Sequence, residues 1–85
     1  MNQVVIVGRL LSITEREGYA LIKIKNESSE YPIEVRLFGD ALIKSTKNYG
    51  EINSIIGIKG EVRANNRRNY VVGTKISFLS RGVDA

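Results

Sequence analysis

Tyr31-Pro32-Ile33-Glu34-Val35-Arg36-Leu37-Phe38-Gly39-Asp40-Ala41-Leu42-Ile43-Lys44-Ser45-Thr46-Lys47-Asn48-Tyr49-Gly50 changes its hydrophobic period in mid-course. Up to Phe38 the residues alternate, with Ile33, Val35 and Leu37 on one face and Glu34, Arg36 and Phe38 on the other, which reads as a half-buried strand. Pro32 stands near the strand start, where a missing N–H donor is tolerated. Beyond Gly39 the apolar positions Ala41, Leu42, Ile43 and Thr46 fall at helical spacing. Asp40 reads as an N-cap and Gly50 as a C-cap, so the pattern predicts one short helix over Asp40 to Tyr49. A strand running into a helix in so few residues decides how the remaining segments are arranged.

Upstream, Val4 to Ile13 is rich in β-branched residues and reads as a first strand. Both of its faces are apolar: Val4, Ile6 and Leu10 alternate with Val5, Val7 and Leu11. Such a strand is expected to be covered on both sides, the second cover coming from another subunit. Thr14 to Gly18 reads as a polar break. Tyr19 to Lys25 alternates again, with Ala20, Ile22 and Ile24 inward and Leu21, Lys23 and Lys25 outward. Asn26 to Glu30 makes the next loop. Downstream, Ile55 to Ala64 is a fourth strand whose Gly57 and Gly60 suggest a bulge or a barrel corner. Asn65-Asn66-Arg67-Arg68-Asn69 reads as a polar hairpin tip with the asparagines as turn formers. Tyr70 to Leu79 follows as the fifth strand.

Three strands, a short helix and a two-stranded hairpin describe an all-β, five-stranded Greek-key barrel of the OB-fold type, with its helix between strands 3 and 4. An SH3-like small barrel is the alternative, but it lacks that helix. The chain is expected to form one domain over residues 1–80, with a short polar end over 81–85.

The 85 residues carry no cysteine and no histidine. Disulfides and thiolate chemistry are thereby excluded, along with the commonest general base and the commonest metal ligand. No Gly-rich phosphate loop or nucleophile motif appears, so the expectation is a binding protein, not an enzyme, with no cofactor and no metal. Met1-Asn2-Gln3 leads straight into a strand, and no long apolar run occurs, so neither a signal peptide nor a membrane span is expected. Net charge is +4. The last third holds Lys59, Arg63, Arg67, Arg68, Lys75 and Arg81 against Glu61 and Asp84, a concentration suited to a polyanionic backbone.

OB-folds bind oligomers across strands 2 and 3, between the loops joining strands 1–2 and 4–5. The outward residues there are Tyr19, Leu21, Lys23, Lys25, Glu34, Arg36 and Phe38. Phe38 is out of phase with the core and stands among cations, as base stacking requires, unless it packs under the helix. Lys23, Lys25 and Arg36 share its face. Tyr19 and Tyr31 either stack a base or cap the barrel. Arg67 and Arg68 on the hairpin, followed by Tyr70, form the second candidate group for phosphates and bases. Tyr49 reads as core, and Glu15 and Glu17 as solvated.

At these residues the chain resembles the bacterial single-stranded DNA-binding protein family. Met1-Asn2-Gln3-Val4-Val5-Ile6-Val7-Gly8-Arg9-Leu10 is similar to that family's first strand. Val35-Arg36-Leu37-Phe38-Gly39 resembles its third strand, Tyr49-Gly50 its helix end, and Ile58-Lys59-Gly60-Glu61-Val62-Arg63 its fourth strand. Tyr70 and Ile76-Ser77-Phe78-Leu79 resemble the closing strand. The resemblance implies that Phe38 is a stacking residue and that Tyr31 lies one residue from a stacking tryptophan position. It further implies sequence-tolerant binding of single-stranded DNA in replication, recombination or repair, in the cytoplasm at the nucleoid. It implies pairing of first strands into a homodimer or homotetramer, with Val5, Val7 and Leu11 at the interface. The family's tryptophans, long strand 2–3 hairpin and acidic C-terminal tip are absent here, so partners recruited through such a tip are not expected. RNA binding, a primosomal adaptor role similar to primosomal replication protein N, and a structural OB-fold subunit are the alternatives.

Overall fold

β-Branched residues and strict alternation produce strands here, and the strands close on one another. The computed structural model describes residues 2–80. In chain order it contains β1 (Gln3–Arg16), β2 (Tyr19–Lys25), β3 (Ile33–Leu37), α1 (Asp40–Tyr49), β4 (Ile55–Asn65) and β5 (Arg68–Phe78). The sheet closes as a barrel in the order β1-β2-β3-β5-β4, with β3 and β5 parallel and the other pairs antiparallel. This is the OB-fold expected from the element order.

The inward phase of β1 to β4 meets in one cluster of Ile6, Leu10, Ala20, Ile22, Ile24, Val35, Leu37, Ile56 and Ile58, and β5 packs Val71 and Ile76 against it. Each large aliphatic side chain removed from water there contributes about 1.5–3 kcal/mol. Helix α1 packs on the barrel, with Leu42 and Ile43 against the cluster. Thr46 is fully buried on the same face, and its hydroxyl donates to the Leu42 carbonyl at 2.8 Å, so no polar atom is stranded. The expected N-cap is displaced by one residue. Gly39 caps the helix with φ 94° and no side-chain bond, and Asp40 begins the first turn. The carboxylate still lies where the helix dipole favours it.

β1 serves two partners. Gln3 to Arg9 pairs with β4, and Arg9 to Arg16 pairs with β2. At the crossing, a side chain on Gly8 would strike the Lys25 carbonyl and Ile24, so glycine permits the close approach. The register then slips between Leu10 and Ser12, which leaves Leu11 as an extra, half-buried residue in a β-bulge. The slip reverses the phase of the strand. Ile13 pairs with Ile22 and packs on the core, whereas unbroken alternation would have turned it outward.

The segment from Thr14 to Arg16, read as a polar break, continues β1, and the turn is confined to Glu17-Gly18, with Gly18 at φ 85°. The second bulge is also placed differently from expectation. Gly60 faces it, but the extra residue is Thr74 on β5, between Lys75 opposite Lys59 and Gly73 opposite Gly60. A Cβ on Gly60 would collide with the Val72 carbonyl, so the glycine permits the bulge from across the ladder. Tyr49 is not core: it is exposed and packs beside Phe78, ring centres 6.2 Å apart. Glu15 is not merely solvated either, since it takes an ion pair from Lys47 of α1 at 2.6 Å.

Candidate nucleic-acid interface

The outward phase of β2 and β3 sets up cross-strand rows. Leu21 lies opposite Arg36 and Lys23 opposite Glu34, while Tyr19 meets Phe38 just past the end of the ladder, ring centres 5.6 Å apart. Phe38 is 44% exposed, so it stands outside the barrel and not beneath the helix. Tyr70 on β5 brings a third ring to this face. The guanidinium carbon of Arg36 lies 4.3 Å from the Tyr70 ring centre and 5.4 Å from that of Tyr19. Phe38, Tyr19, Arg36 and Tyr70 therefore form one run of ring, ring, cation and ring across three strands.

Tyr19, Arg36 and Tyr70 of this run line a cleft of about 790 Å³ between the β2–β3 surface and the β4–β5 hairpin, and Phe38 adjoins it through Tyr19, outside the lining. Its walls hold Arg16, Tyr19, Arg36, Arg68 and Tyr70, with amides from Asn65, Asn66 and Asn69 and a single carboxylate from Glu34. The hairpin turn is Asn66-Arg67, with φ 49° and 68°. Two successive positive φ values make a type I′ turn, whose right-handed twist matches the strands it joins. Only Asn66 of the asparagines is a turn former. Asn65 and Asn69 lie in β4 and β5, opposite Arg68 and Ala64, and their amides face the cleft as part of its lining.

The cations expected at the site fall into two groups. Arg67 and Arg68 make no ion pair among the described residues, and Arg36 is held by the rings. Lys23 is 3.8 Å from Glu34. Lys25 turns back on its own loop, where its ammonium donates to the carbonyls of Asn26 (3.1 Å) and Ser29. Asn26 in turn donates to the Val7 carbonyl at 2.8 Å, which ties that loop to β1. Lys25 thus organises the β2–β3 loop. Tyr31 is 72% exposed in that loop and is not among the residues lining the cleft. Arg63, counted with the basic third, is neutralised by Glu61 at 3.0 Å.

Arg16 joins the site although the alternation of β1 does not point to it. Its even number puts it in the core phase of Ile6 and Leu10, and the Leu11 bulge is what turns it to the outer face beside Tyr19. On the far side of the barrel, Val5 (73% exposed) and Val7 (47%) remain uncovered. Gln3 to Gly8 pairs with β4 on one side, and no described strand lies along the other. Among the described residues, no group of three or more His, Cys, Asp or Glu could hold a metal ion, and no helix is long and apolar enough to cross a membrane.

No protein-family model matches the chain, and no curated protein matches it significantly in sequence. Solved structures are similar in shape. The mitochondrial single-stranded DNA-binding protein Rim1 of S. cerevisiae superposes with a TM-score of 0.81 at 16% identity, over 96% of this chain and 97% of that one. An OBody bound to hen egg-white lysozyme gives 0.77 at 20% identity, over 95% and 97%. The S. pombe Stn1-Ten1 complex gives 0.76 at 14%, over 93% of this chain and 59% of that one. At such identities the likeness establishes the fold.

Proposed function

We propose that this barrel is a binding module for single-stranded DNA, of the kind found in the bacterial single-stranded DNA-binding proteins, and that it has no catalytic role. The observation that carries the reading is the run Phe38–Tyr19–Arg36–Tyr70 along a cleft walled by Arg16 and Arg68. Bases stack on the rings because every base has a π-face, while the arginines neutralise the phosphates between them. Lys23 and Arg67 extend the basic track to either side. The structural likeness to a mitochondrial single-stranded DNA-binding protein supports the same reading. Work on exposed strands in replication, recombination or repair follows from it, at the nucleoid of the cytoplasm.

The module acts as a homodimer or larger homo-oligomer. The edge of β1 over Gln3 to Ile6, ahead of the Val7 carbonyl to which Asn26 donates, and the exposed Val5 and Val7 support this, since an unpaired edge with apolar neighbours is a template for a second copy. Leu11, half-buried in its bulge, is assigned to the same interface.

A second reading, that the cleft or the valine face binds a protein, draws on the lysozyme-bound OBody of the same fold. Titration against dT, rU and duplex oligomers at two salt concentrations separates the two. Salt-sensitive binding to single strands, stronger than to duplex, supports the first. Binding to duplex alone, or to nothing, rejects it, and preference for rU over dT would reassign the module to RNA.

A further inference from the structure

We propose that one position along the strand is read, and that the base read there is guanine; the inference rests on the single-strand reading and sharpens it. It starts from Glu34, the one carboxylate among the residues lining the main cleft. Glu34 also lines an adjoining hollow of about 380 Å³, together with Lys23, Pro32, Asn69, Tyr70 and Val71. Glu34 and Lys23 are direct cross-strand partners, their charged atoms 3.8 Å apart and both side chains about half exposed. The pair therefore presents two acceptor oxygens beside an ammonium donor, next to the Tyr70 ring.

An ionised carboxylate only accepts hydrogen bonds and repels phosphate, so within a DNA strand, whose internal sugars carry no hydroxyl, its complement is a base edge. Guanine carries two parallel donors, N1–H and the N2 amine, which match the two carboxylate oxygens, and its O6 acceptor lies beside them for an ammonium. Thymine and uracil offer one N–H between two carbonyl oxygens. Cytosine and adenine offer one amine beside a ring-nitrogen acceptor. Guanine is the base whose edge complements the donor and acceptor order of the Lys23–Glu34 pair, and a bidentate contact of this kind discriminates strongly between bases.

The test compares a dT oligomer with the same oligomer carrying one central dG, or one central deoxyinosine, which lacks the N2 amine. The wild-type protein is expected to bind the dG oligomer about tenfold more tightly than dT, and to lose most of that gain with deoxyinosine. Glu34→Gln and Glu34→Ala are expected to bind the dT and dG oligomers with equal affinity. Equal wild-type affinity for dT and dG oligomers overturns the guanine subsite and leaves single-strand binding standing. A preference that survives in both Glu34 variants overturns it too. Binding to neither oligomer overturns both readings. The deoxyinosine comparison uses wild-type protein throughout, so it does not depend on how a variant folds.

Discussion

The Arg36 guanidinium sits against the Tyr70 ring, 4.3 Å from its centre, and reaches the Tyr19 ring at 5.4 Å. A flat cation between two rings is held by its quadrupolar contacts with no acidic partner among the described residues, and its charge stays available to a phosphate. Lysine cannot stack in this way. Arg36→Lys is therefore expected to weaken dT binding by about 1 kcal/mol, roughly fivefold, although the charge is retained. Fluorescence anisotropy of a labelled oligomer measures this. Equal affinity of the two proteins would mean that the stacked geometry is irrelevant to binding.

Phe38→Ala removes a half-exposed ring. Loss of one stacking contact is expected to reduce dT affinity by about 1–3 kcal/mol while the melting temperature changes little. A large drop in melting temperature with unchanged affinity would return Phe38 to a packing role under the helix.

Arg67 occupies a left-handed conformation (φ 68°) that non-glycine residues avoid. Arg67→Gly relieves the strain, so thermal unfolding is expected to shift upward by an amount corresponding to about 1 kcal/mol or less. On the proposed single-strand reading Arg67 neutralises a phosphate, so the same change is expected to lower the slope of log affinity against log salt by about one. Arg67→Ala shows the second effect without the first, and identical melting of the two variants would dispose of the strain argument.

Deleting Leu11 removes the extra residue of the bulge and sets Ser12 directly after Leu10 in continuous alternation. Ile13 then stays opposite Ile22 and Arg16 opposite Tyr19, because the bulge alone takes up the extra residue. The deletion is therefore expected to cost about 1 kcal/mol, close to Leu11→Ala, and not the several kcal/mol of a register shift. Chemical denaturation gives the comparison. A far lower midpoint for the deletion than for the substitution would show that the bulge itself, and not only the pairing on either side of it, holds β1 in register.

Val5→Asp combined with Val7→Asp places charges on the exposed face of β1 without touching the barrel interior. Sedimentation of the wild type is expected to show a dimer or larger assembly, and the double variant is expected to be a folded monomer. A monomeric wild type at high concentration removes the proposal of first-strand pairing.

Much of this architecture is legible from hydrophobic period alone, because β2 and β3 each have one dry face. Ala20, Ile22, Ile24, Val35 and Leu37 are fully buried in the phase that alternation assigns them. Helix α1 spans the residues that its spacing and flanking glycines indicate. What alternation misses depends on breaks in alternation. Arg16 is hidden by a bulge that has no glycine to mark it. The second bulge has its extra residue on Thr74, across the ladder from the glycine that permits it. The fate of Lys25 depends on the folded path of its own loop, because only there do the Asn26 and Ser29 carbonyls converge on its ammonium. Outward phase places a lysine on a surface and says nothing of which oxygen it will find.

The bulge at Leu11 also bears on how such a domain can diverge. It lets one continuous strand present valines on one side of the barrel and an arginine at the cleft on the other, with the two halves out of step. Substitutions before the bulge can then alter self-association, and those after it can alter ligand grip, each without rotating the other. A single inserted residue acts here as a joint between two independently variable surfaces, so subunit assembly and strand recognition need not evolve together.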